Sequence, residues 1–214
     1  MYQTAQERNT ECSPACNIRG FARPGTLQSH CYREAFGELT MPVTRDELFK
    51  RLEELDISTT TVEHEAVFTV AQSDALNQDL PGGHTKNLFL KDAKGRLFLV
   101  VAESHANVDM KRFHKRIGSA RLSFGKPDLL EQTLGVQPGS VTALSLINDT
   151  EGLVSVIIDE QLMNHDIINC HPLINTATTA ISAQDLLRFM RATGHEPRIM
   201  AVDGAVLDDA PNSA

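Results

Sequence analysis

The sequence predicts a mixed α/β protein of the α+β class, on three observations. Residues 87–92 and 96–102 flank a turn at residues 93–95, which predicts a β-hairpin whose second arm is apolar enough for a central strand. Helix signals fall irregularly between the strand signals, so a regular doubly wound sheet is disfavoured. The chain of 214 residues shows no internal repeat and is long enough to bury one substantial core.

The first two helices are predicted before and after this hairpin. Thr44 stands three residues before Glu47 in a capping box, which predicts a helix start. A second helix is predicted at residues 108–117, after the hairpin. The apolar stripe of the first helix consists of Leu48, Phe49, Leu52 and Leu55.

The last two helices are predicted from their end signals. Pro127 and Gly135 bracket a short apolar segment, in the proline-first and glycine-last order that helices favour. Residues 186–193 form the final predicted helix, with Ser182 and Asp185 as its capping residues.

Strands are also predicted outside the first hairpin. The β-branched residues 59–62 predict one of them. Residues 143–147 and 154–159 predict a second hairpin around a turn at residues 148–152. A short final strand is predicted at residues 198–202.

Composition divides the chain into three parts. Residues 1–40 are rich in Pro, Cys, Gly and Arg without sustained periodicity, which predicts a disordered N-terminal extension. Residues 41–202 form the predicted domain, and the small, acidic residues 203–214 form a flexible tail. Met41 is a candidate start of the protein, a hypothesis that N-terminal sequencing of the native chain tests.

Charge and composition exclude several classes of function. The formal net charge of −8 argues against indiscriminate nucleic-acid binding, because a uniformly acidic surface repels phosphate. A basic stretch at residues 111–126 contains no Asp or Glu, and it predicts either a phosphate-binding patch or a solvated helix face. No apolar run is long enough to span a bilayer, and no secretory signal is visible, so we expect a cytoplasmic protein without a membrane partner.

Common catalytic motifs are absent from the sequence. It has no glycine-rich dinucleotide or phosphate loop, no His-Glu-x-x-His and no Gly-x-Ser-x-Gly, which disfavours nucleotide-driven, zincin and serine-hydrolase chemistry. The spacing of Cys12, Cys16, His30 and Cys31 matches no standard zinc site. His165 and His171 are better explained as histidines that order a loop. We therefore expect no metal and no cofactor.

Two segments carry polar residues that the fold alone does not explain. In residues 81–87, a glycine-rich turn is followed closely by Lys86 and Asn87. A lysine at this position could anchor a phosphate or a carbonyl oxygen. The alternative is an edge lysine that discourages strand pairing. Residues 169–179 form a predicted loop, stiffened by Pro172, that could line a small-ligand pocket or simply enter a strand. A Cys170 nucleophile activated by its neighbour His171 is disfavoured, since adjacent residues on extended backbone point apart.

Four motifs, in order along the chain, resemble the YbaK/prolyl-tRNA-synthetase-associated editing family, and within it the freestanding ProX/PrdX type. They are Thr-Lys-Asn-Leu-Phe-Leu at 85–90, Leu-Gly-Val-Gln-Pro-Gly-Ser-Val-Thr at 134–142, Leu-Ile-Asn-Asp-Thr at 146–150 and His-Pro-Leu-Ile-Asn-Thr-Ala-Thr at 171–178. The resemblance covers roughly residues 44–202. It implies a curved, barrel-like mixed sheet with flanking helices, and hydrolysis of the ester that joins a wrong amino acid to tRNA, with tRNA as partner and prolyl-tRNA synthetase as a possible second one.

The resemblance also implies roles for individual residues. Lys86 matches the family's lysine at the tRNA end, and Asn87 lies beside it. The loop that fits the amino acid would contain His171 and Pro172, with Asn175 and Thr178 at its exit. Gly139 and Ser140 would form a neighbouring rim. The acceptor stem of the tRNA would contact the basic residues Lys111, Arg112, Lys115 and Arg116.

The implied activity is removal of alanine from tRNA(Pro), through a bound water and the vicinal hydroxyl of the substrate. Two positions depart from the family's pattern. Ala143 stands where a proline usually follows Val-Thr, and Cys170 stands where a bulky aromatic is common. Because the second departure changes the pocket size, a deacylase for another small or non-protein amino acid stays open. So does a non-catalytic module that binds aminoacyl-tRNA or a synthetase.

Overall fold

The computed structural model of the protein describes residues 41–66 and 80–202. The predictions for residues 1–40 and 203–214, including Cys12, Cys16, His30 and Cys31, lie outside these residues. The described part contains four α-helices: α1 (Arg45–Glu54), α2 (Met110–Arg116), α3 (Pro127–Leu134) and α4 (Ala183–Ala192). Two 3-10 segments, Ala143–Asn148 and Leu162–Asn164, lie among them.

The strands of the described residues form one mixed, eight-stranded sheet. Its order is β1-β7-β6-β2-β3-β5-β8, and β4 pairs with β2 beside this path. The fold is therefore the predicted mixed α/β class. The strands are β1 (Thr59–Glu63), β2 (Gly83–Asp92), β3 (Leu97–Glu103), β4 (Leu122–Phe124), β5 (Val154–Asp159), β6 (Ile167–Cys170), β7 (Ala177–Ser182) and β8 (Arg198–Met200).

Strand β2 is shared by two parts of the sheet. Along one edge it pairs antiparallel with β3, which confirms the first predicted hairpin. Along the other edge its start pairs in parallel with β6, where His84 opposes Asn169. Its end pairs antiparallel with β4, where Leu90 opposes Phe124. One strand thus connects the β1-β7-β6 part of the sheet to the remaining strands.

Strand β1 is the outermost strand at one edge of the sheet. It pairs antiparallel with β7, with Thr61 opposite Thr179. The hydroxyl oxygens of these two threonines are 2.8 Å apart, although the residues are separated by 118 positions in the sequence. The first and last thirds of the chain therefore meet at this edge.

The helix ends follow the predicted signals. The capping box at Thr44 is formed, with the backbone amide of Thr44 donating to the carboxylate of Glu47 at 2.7 Å. Pro127 opens α3, and Gly135 ends it with a φ of 65°, a left-handed conformation that glycine adopts at little cost. Ser182 caps α4 by accepting from the backbone amide of Asp185 at 3.0 Å.

Apolar side chains cover both faces of the sheet. On one side, Phe89 and Val101 pack with buried residues of α1, α3 and α4, and we call this side the three-helix face. On the other side, Leu90 and Val100 pack against Phe113 of α2, and we call this side the α2 face. Successive residues of a strand point to opposite faces, so β2 contributes alternately to the two clusters.

Two parts of the strand prediction are wrong. Residues 143–148 form a 3-10 helix begun by Thr142, and β5 pairs in parallel with β3 instead of forming a second hairpin. A short, continuous apolar run is compatible with either a buried strand or a buried helix, which explains the error. For residues 169–179 the structure shows the alternative of a strand entry: they form a β6–turn–β7 unit, because the small residues after the turn continue the sheet.

None of the helices in the two described ranges is long and apolar enough to cross a membrane.

Candidate active site

Lys86 lies near the start of β2, and its side chain is on the α2 face because it is separated from Leu90 by an even number of residues. Its ammonium group donates a hydrogen bond of 2.5 Å to the backbone carbonyl of Ala106, in the loop between β3 and α2. An ammonium group has three N–H donors. Within the described residues this is its one hydrogen bond, so the other N–H groups can bind a ligand.

Asn87 lies on the opposite side of β2 from Lys86. Its amide nitrogen donates to the hydroxyl of Thr85 at 3.3 Å, and its buried Oδ1 has no hydrogen-bond partner among the described residues. The hydroxyl of Thr85 in turn donates to the backbone carbonyl of Asn169 at 2.9 Å. Adjacent strand positions therefore send the Lys86 and Asn87 side chains to different faces, and the structure does not join them at one ligand atom.

Cys170 is buried at the end of β6. Burial raises the pKa of its thiol to about 12, although a hydrogen bond with Thr85 partly opposes this shift. Since the thiolate is the nucleophilic form, a thiol with so high a pKa is inert at neutral pH. The structure agrees with the expectation that Cys170 and His171 do not form a nucleophile pair.

His171 follows directly at the start of the turn between β6 and β7. Its Nδ1 lies 3.1 Å from the backbone carbonyl of Ala177, so Nδ1 carries the proton in the neutral ring and Nε2 presents a lone pair. The pKa of His171 is lowered, mainly by burial and also by the neighbouring His64, while the hydrogen bond to Ala177 opposes the shift. The ring is therefore a neutral acceptor near pH 7.

His64 is a residue of this site that the sequence analysis missed. Its Nδ1 lies 2.8 Å from the carbonyl of Glu65, and its Nε2 lies 2.9 Å from the hydroxyl of Thr178. Because Nδ1 must donate to the carbonyl, the Thr178 hydroxyl donates to Nε2. The ring centroids of His64 and His171 are 6.5 Å apart. A lone histidine after a short strand gave no signal, since its partner lies 114 positions away.

The turn between β6 and β7 holds the remaining predicted residues. Pro172 is buried. The next residue, Leu173, has a φ of 66°, an uncommon conformation for a branched side chain. Strain of this kind is found where surrounding structure holds a functional loop in place.

The glycine turn after α3 approaches the turn between β6 and β7. A Cβ atom placed on Gly139 would be 3.8 Å from the amide nitrogen of Asn175, so the two turns are neighbours. Ser140 is buried, and its backbone amide donates to the carbonyl of Gln137 at 3.0 Å. Gly139 and Asn175, which lie apart in the sequence, are thus brought together.

A groove of about 540 Å³ lies over the β1-β7-β6 part of the sheet. Thr178 lines it, and so does Asn169, whose amide donates to the carbonyl of Pro81 at 3.1 Å. Its walls are mostly apolar. Lys86 and His171 lie outside the lining, while His84, two residues before Lys86, bonds to the carbonyl of the lining residue Leu80 at 2.8 Å. His84 thus connects the edge of the groove to the strand that carries Lys86.

The predicted tRNA contacts lie on α2. Lys111, Arg112 and Lys115 are exposed, and Arg116 is half-buried. The guanidinium of Arg112 is 3.6 Å from the carboxylate of Asp109, so its charge is partly compensated. The helix packs on the α2 face through Phe113. Its cations therefore stand on the same side of the sheet as Lys86.

Within the two described ranges, no three His, Cys, Asp or Glu side chains are grouped so that they could hold a metal ion.

Comparison with known proteins identifies the family. The family model for the aminoacyl-tRNA editing domain matches residues 64–189. A prolyl-tRNA synthetase associated domain-containing protein 1 from Danio rerio is 41% identical over 173 residues, which cover 79% of this chain and 94% of that protein. The prolyl-tRNA editing protein ProX of Acetoanaerobium sticklandii is 36% identical over 146 residues, or 68% of this chain and 89% of that protein.

A solved structure supports the fold. The crystal structure of a candidate trans-editing enzyme for prolyl-tRNA synthetase superposes with a TM-score of 0.58 at 16% identity, covering 75% of this chain and 98% of that chain. At this identity the likeness shows the fold alone. The sequence matches carry the classification: the chain belongs to the aminoacyl-tRNA editing domain family and is a hydrolase of the ester bond between an amino acid and tRNA.

Proposed function

We propose that this protein is a trans-editing deacylase that hydrolyses alanine from mischarged Ala-tRNA(Pro). The observation that carries the proposal is the position of Lys86. Its ammonium group lies on the same face of the sheet as the exposed cations of α2, and it is bonded to the loop that leads into that helix. The α2 face thus carries both a cation for the end of the substrate and cations for its phosphates.

The physical need for such an enzyme lies in the synthetase. A pocket shaped for proline cannot strongly exclude a smaller amino acid, since each missing methylene weakens binding by only about 1–3 kcal/mol. A second site that admits only the smaller amino acid supplies the missing discrimination. The relative named ProX is a prolyl-tRNA editing protein, which supports this assignment.

The chemistry requires no side-chain nucleophile. A water oxygen forms a bond to the ester carbonyl carbon, the bond to the ribose oxygen breaks, and the products are alanine and tRNA with a free hydroxyl. Lys86 stabilises the negative charge that develops on the carbonyl oxygen. The Nε2 lone pair of His171 accepts a hydrogen bond from the substrate ammonium or from the water. The vicinal hydroxyl of the substrate assists the proton transfer.

Purified protein tests the proposal directly. Ala-tRNA(Pro) should be hydrolysed rapidly and Pro-tRNA(Pro) slowly. Faster hydrolysis of another tRNA from a panel of mischarged tRNAs would identify a different amino acid, an outcome that the small Cys170 side chain makes worth measuring. Tight binding of aminoacyl-tRNA without hydrolysis would instead indicate a binding module.

We also propose that prolyl-tRNA synthetase is a partner and that the protein acts in the cytoplasm.

The histidine pair predicts the pH dependence of the reaction. Since the pKa of His171 is lowered, the neutral ring persists below pH 6.5, the ordinary value, and kcat/KM should fall only at lower pH. His171→Asn should remove this fall in kcat/KM, the acidic limb of the pH profile. His64→Ala should shift the limb to higher pH, because His64 helps to lower the pKa of His171. A limb that stays in place in both variants would assign the titration to another group.

The basic helix predicts the salt dependence. Neutralising Lys111, Arg112 and Lys115 together should raise KM and reduce the slope of log KM against log salt concentration by about 2, because fewer phosphate counterions are displaced. The rate at saturating substrate should change little. A control that neutralises Lys50, Arg188 and Arg191, which are exposed on α1 and α4 at the three-helix face, should keep the original slope. Equal slopes for both variants would place the tRNA on another surface.

A further inference from the structure

Phe124 is an exposed aromatic side chain on the α2 face, the face of the sheet that carries Lys86. It ends β4 and is 67% exposed. Five other large apolar residues are exposed in the described ranges, and all of them are aliphatic. Since most of the Phe124 side chain is accessible to solvent, its surroundings indicate what the ring can bind.

The strand register places Phe124 relative to Lys86. Phe124 opposes Leu90 across the β2–β4 pair, and directly opposed residues of antiparallel strands share a face. Leu90 and Lys86 are four residues apart on β2, which is about 13 Å at the usual rise of a strand. The neighbour of Phe124 on the same side of β4, Leu122, is buried in the cluster with Phe113 of α2. Phe124 therefore stands on the α2 face beside Leu90, and its backbone is roughly 14 Å from that of the lysine.

The backbone at Phe124 is held tightly. The amide of Gly125 donates to the carbonyl of Phe89 at 2.9 Å. A Cβ atom on Gly125 would come within 2.3 Å of the Phe89 ring, so only glycine fits at this approach. The hydroxyl of Ser123 donates to the carbonyl of Lys91 at 3.3 Å. These contacts fix the backbone at the strand end from which the Phe124 side chain projects.

The charge around Phe124 favours an anionic ligand. Arg121 and Lys126 are exposed on either side of it in the sequence, and no acidic residue lies between Asp109 and Asp128. Proteins stack bases of single-stranded nucleic acid on exposed aromatic rings and attract the phosphates with nearby cations, because every base has a π-face and every nucleotide a phosphate. Phe124 offers such a ring within a segment that carries only positive charge.

We propose that Phe124 stacks on a base of the single-stranded 3′ end of tRNA, upstream of the nucleotide that carries the amino acid. This inference rests on the proposed function and adds to it a second anchoring point for the same substrate. Bases stacked in one strand rise about 3.4 Å each, so a short run of nucleotides covers the distance between Phe124 and Lys86. The stacked base sets the position of the ester relative to the lysine.

The first experiment uses fluorescence and needs no catalysis. The chain has no tryptophan, so Phe124→Trp introduces its single indole. Unacylated tRNA(Pro) with its complete 3′ end should quench this fluorophore and bind at least several-fold more tightly than the same tRNA without its single-stranded 3′ nucleotides. Equal quenching by both tRNAs would overturn the inference. So would quenching by prolyl-tRNA synthetase but not by tRNA, which would make Phe124 a protein contact.

The second experiment uses kinetics with two substrates. Phe124→Ala and Phe124→Leu should each raise KM for Ala-tRNA(Pro) about tenfold, whereas Phe124→Tyr should keep it, because stacking needs a ring and not merely apolar area. The Phe124→Ala and Phe124→Leu variants should hydrolyse alanyl-adenosine at the wild-type rate, because this substrate lacks the upstream nucleotides. Leu153→Ala, at another exposed apolar residue, is the matched control. A leucine variant with wild-type KM for the tRNA would contradict stacking.

The two experiments separate this inference from the proposed function. If the wild-type protein hydrolyses neither Ala-tRNA(Pro) nor alanyl-adenosine, the proposed function fails, while quenching that depends on the 3′ end still supports the contact of Phe124. If hydrolysis proceeds and the quenching does not depend on the 3′ end, the proposed function stands and the role of Phe124 is refuted.

Discussion

Replacing Lys86 with alanine should reduce kcat/KM for Ala-tRNA(Pro) by about 100- to 1,000-fold, the usual cost of removing a donor that stabilises a developing oxyanion. The loss should appear mainly in kcat if the ammonium contacts the carbonyl oxygen, and mainly in KM if it contacts only the ribose or phosphate. Single-turnover hydrolysis of labelled Ala-tRNA(Pro) distinguishes the two cases.

Two further variants make this test specific to the lysine. Lys91→Ala removes an exposed lysine from the same strand and should leave the rate unchanged. Lys86→Arg keeps the charge but replaces a compact ammonium group with a planar guanidinium, so it should restore little activity. Each variant should unfold at nearly the wild-type temperature. Wild-type activity in Lys86→Ala would remove the lysine from the mechanism and with it the present assignment of the site.

The largest effect on stability is expected at Asp92, the buried last residue of β2. Its carboxylate accepts hydrogen bonds from the backbone amides of Lys94, Arg96 and Ala120 and from the Arg96 side chain. These groups belong to the β2–β3 turn and to the segment before β4. Asp92→Ala should therefore lower the melting temperature by many degrees, because four partly buried hydrogen bonds lose their shared acceptor at once.

The pH dependence at Asp92 gives this prediction a second measurement. Burial raises the pKa of the carboxyl, but the hydrogen bonds from Ala120, Arg96 and Lys94 outweigh burial and hold it at about 2, below the ordinary 3.8. The folded state thus favours the ionised form. The stabilisation is complete above about pH 4 and is lost as the pH falls toward 2. Asp92→Asn should be less stable than wild type at neutral pH, and the difference should shrink in that acidic window.

A surface carboxylate provides the control for the acid titration. Glu151→Gln, at an exposed turn residue, should keep both the melting temperature and its wild-type pH dependence. Parallel pH curves for wild type and Asp92→Asn would show that another group titrates in the window.

Sequence signals that act over a few residues predicted the fold well. The capping box at Thr44 and the pair Pro127 and Gly135 set helix ends through contacts within one turn, and the structure has these ends where they were expected. The first hairpin was predicted from signals that lie equally close together in the sequence. Residues 143–148 were misassigned because an apolar run contains no information about which distant surface will cover it, and here that surface is made by α3 and α4.

The site was only partly predictable for the same reason. The family motifs named Lys86 and His171, but the alternation of β2, which sends Asn87 to the other face, depends on a register that the sequence alone does not state. His64 was missed because its partner Thr178 is on a strand from the other end of the domain. Phe124 was missed because exposure of an aromatic residue is a property of the folded chain.

The pairing of β1 with β7 has a consequence for how the protein is made. The ordering of a sheet edge by residues 118 positions apart requires closure of a very long loop, which is slow compared with local folding. During synthesis β1 leaves the ribosome long before β7, and the two strands can pair only after β7 has been translated. The contact between His64 and Thr178 depends on the same closure. A nascent chain therefore cannot place His64 against Thr178 until β7 has been translated.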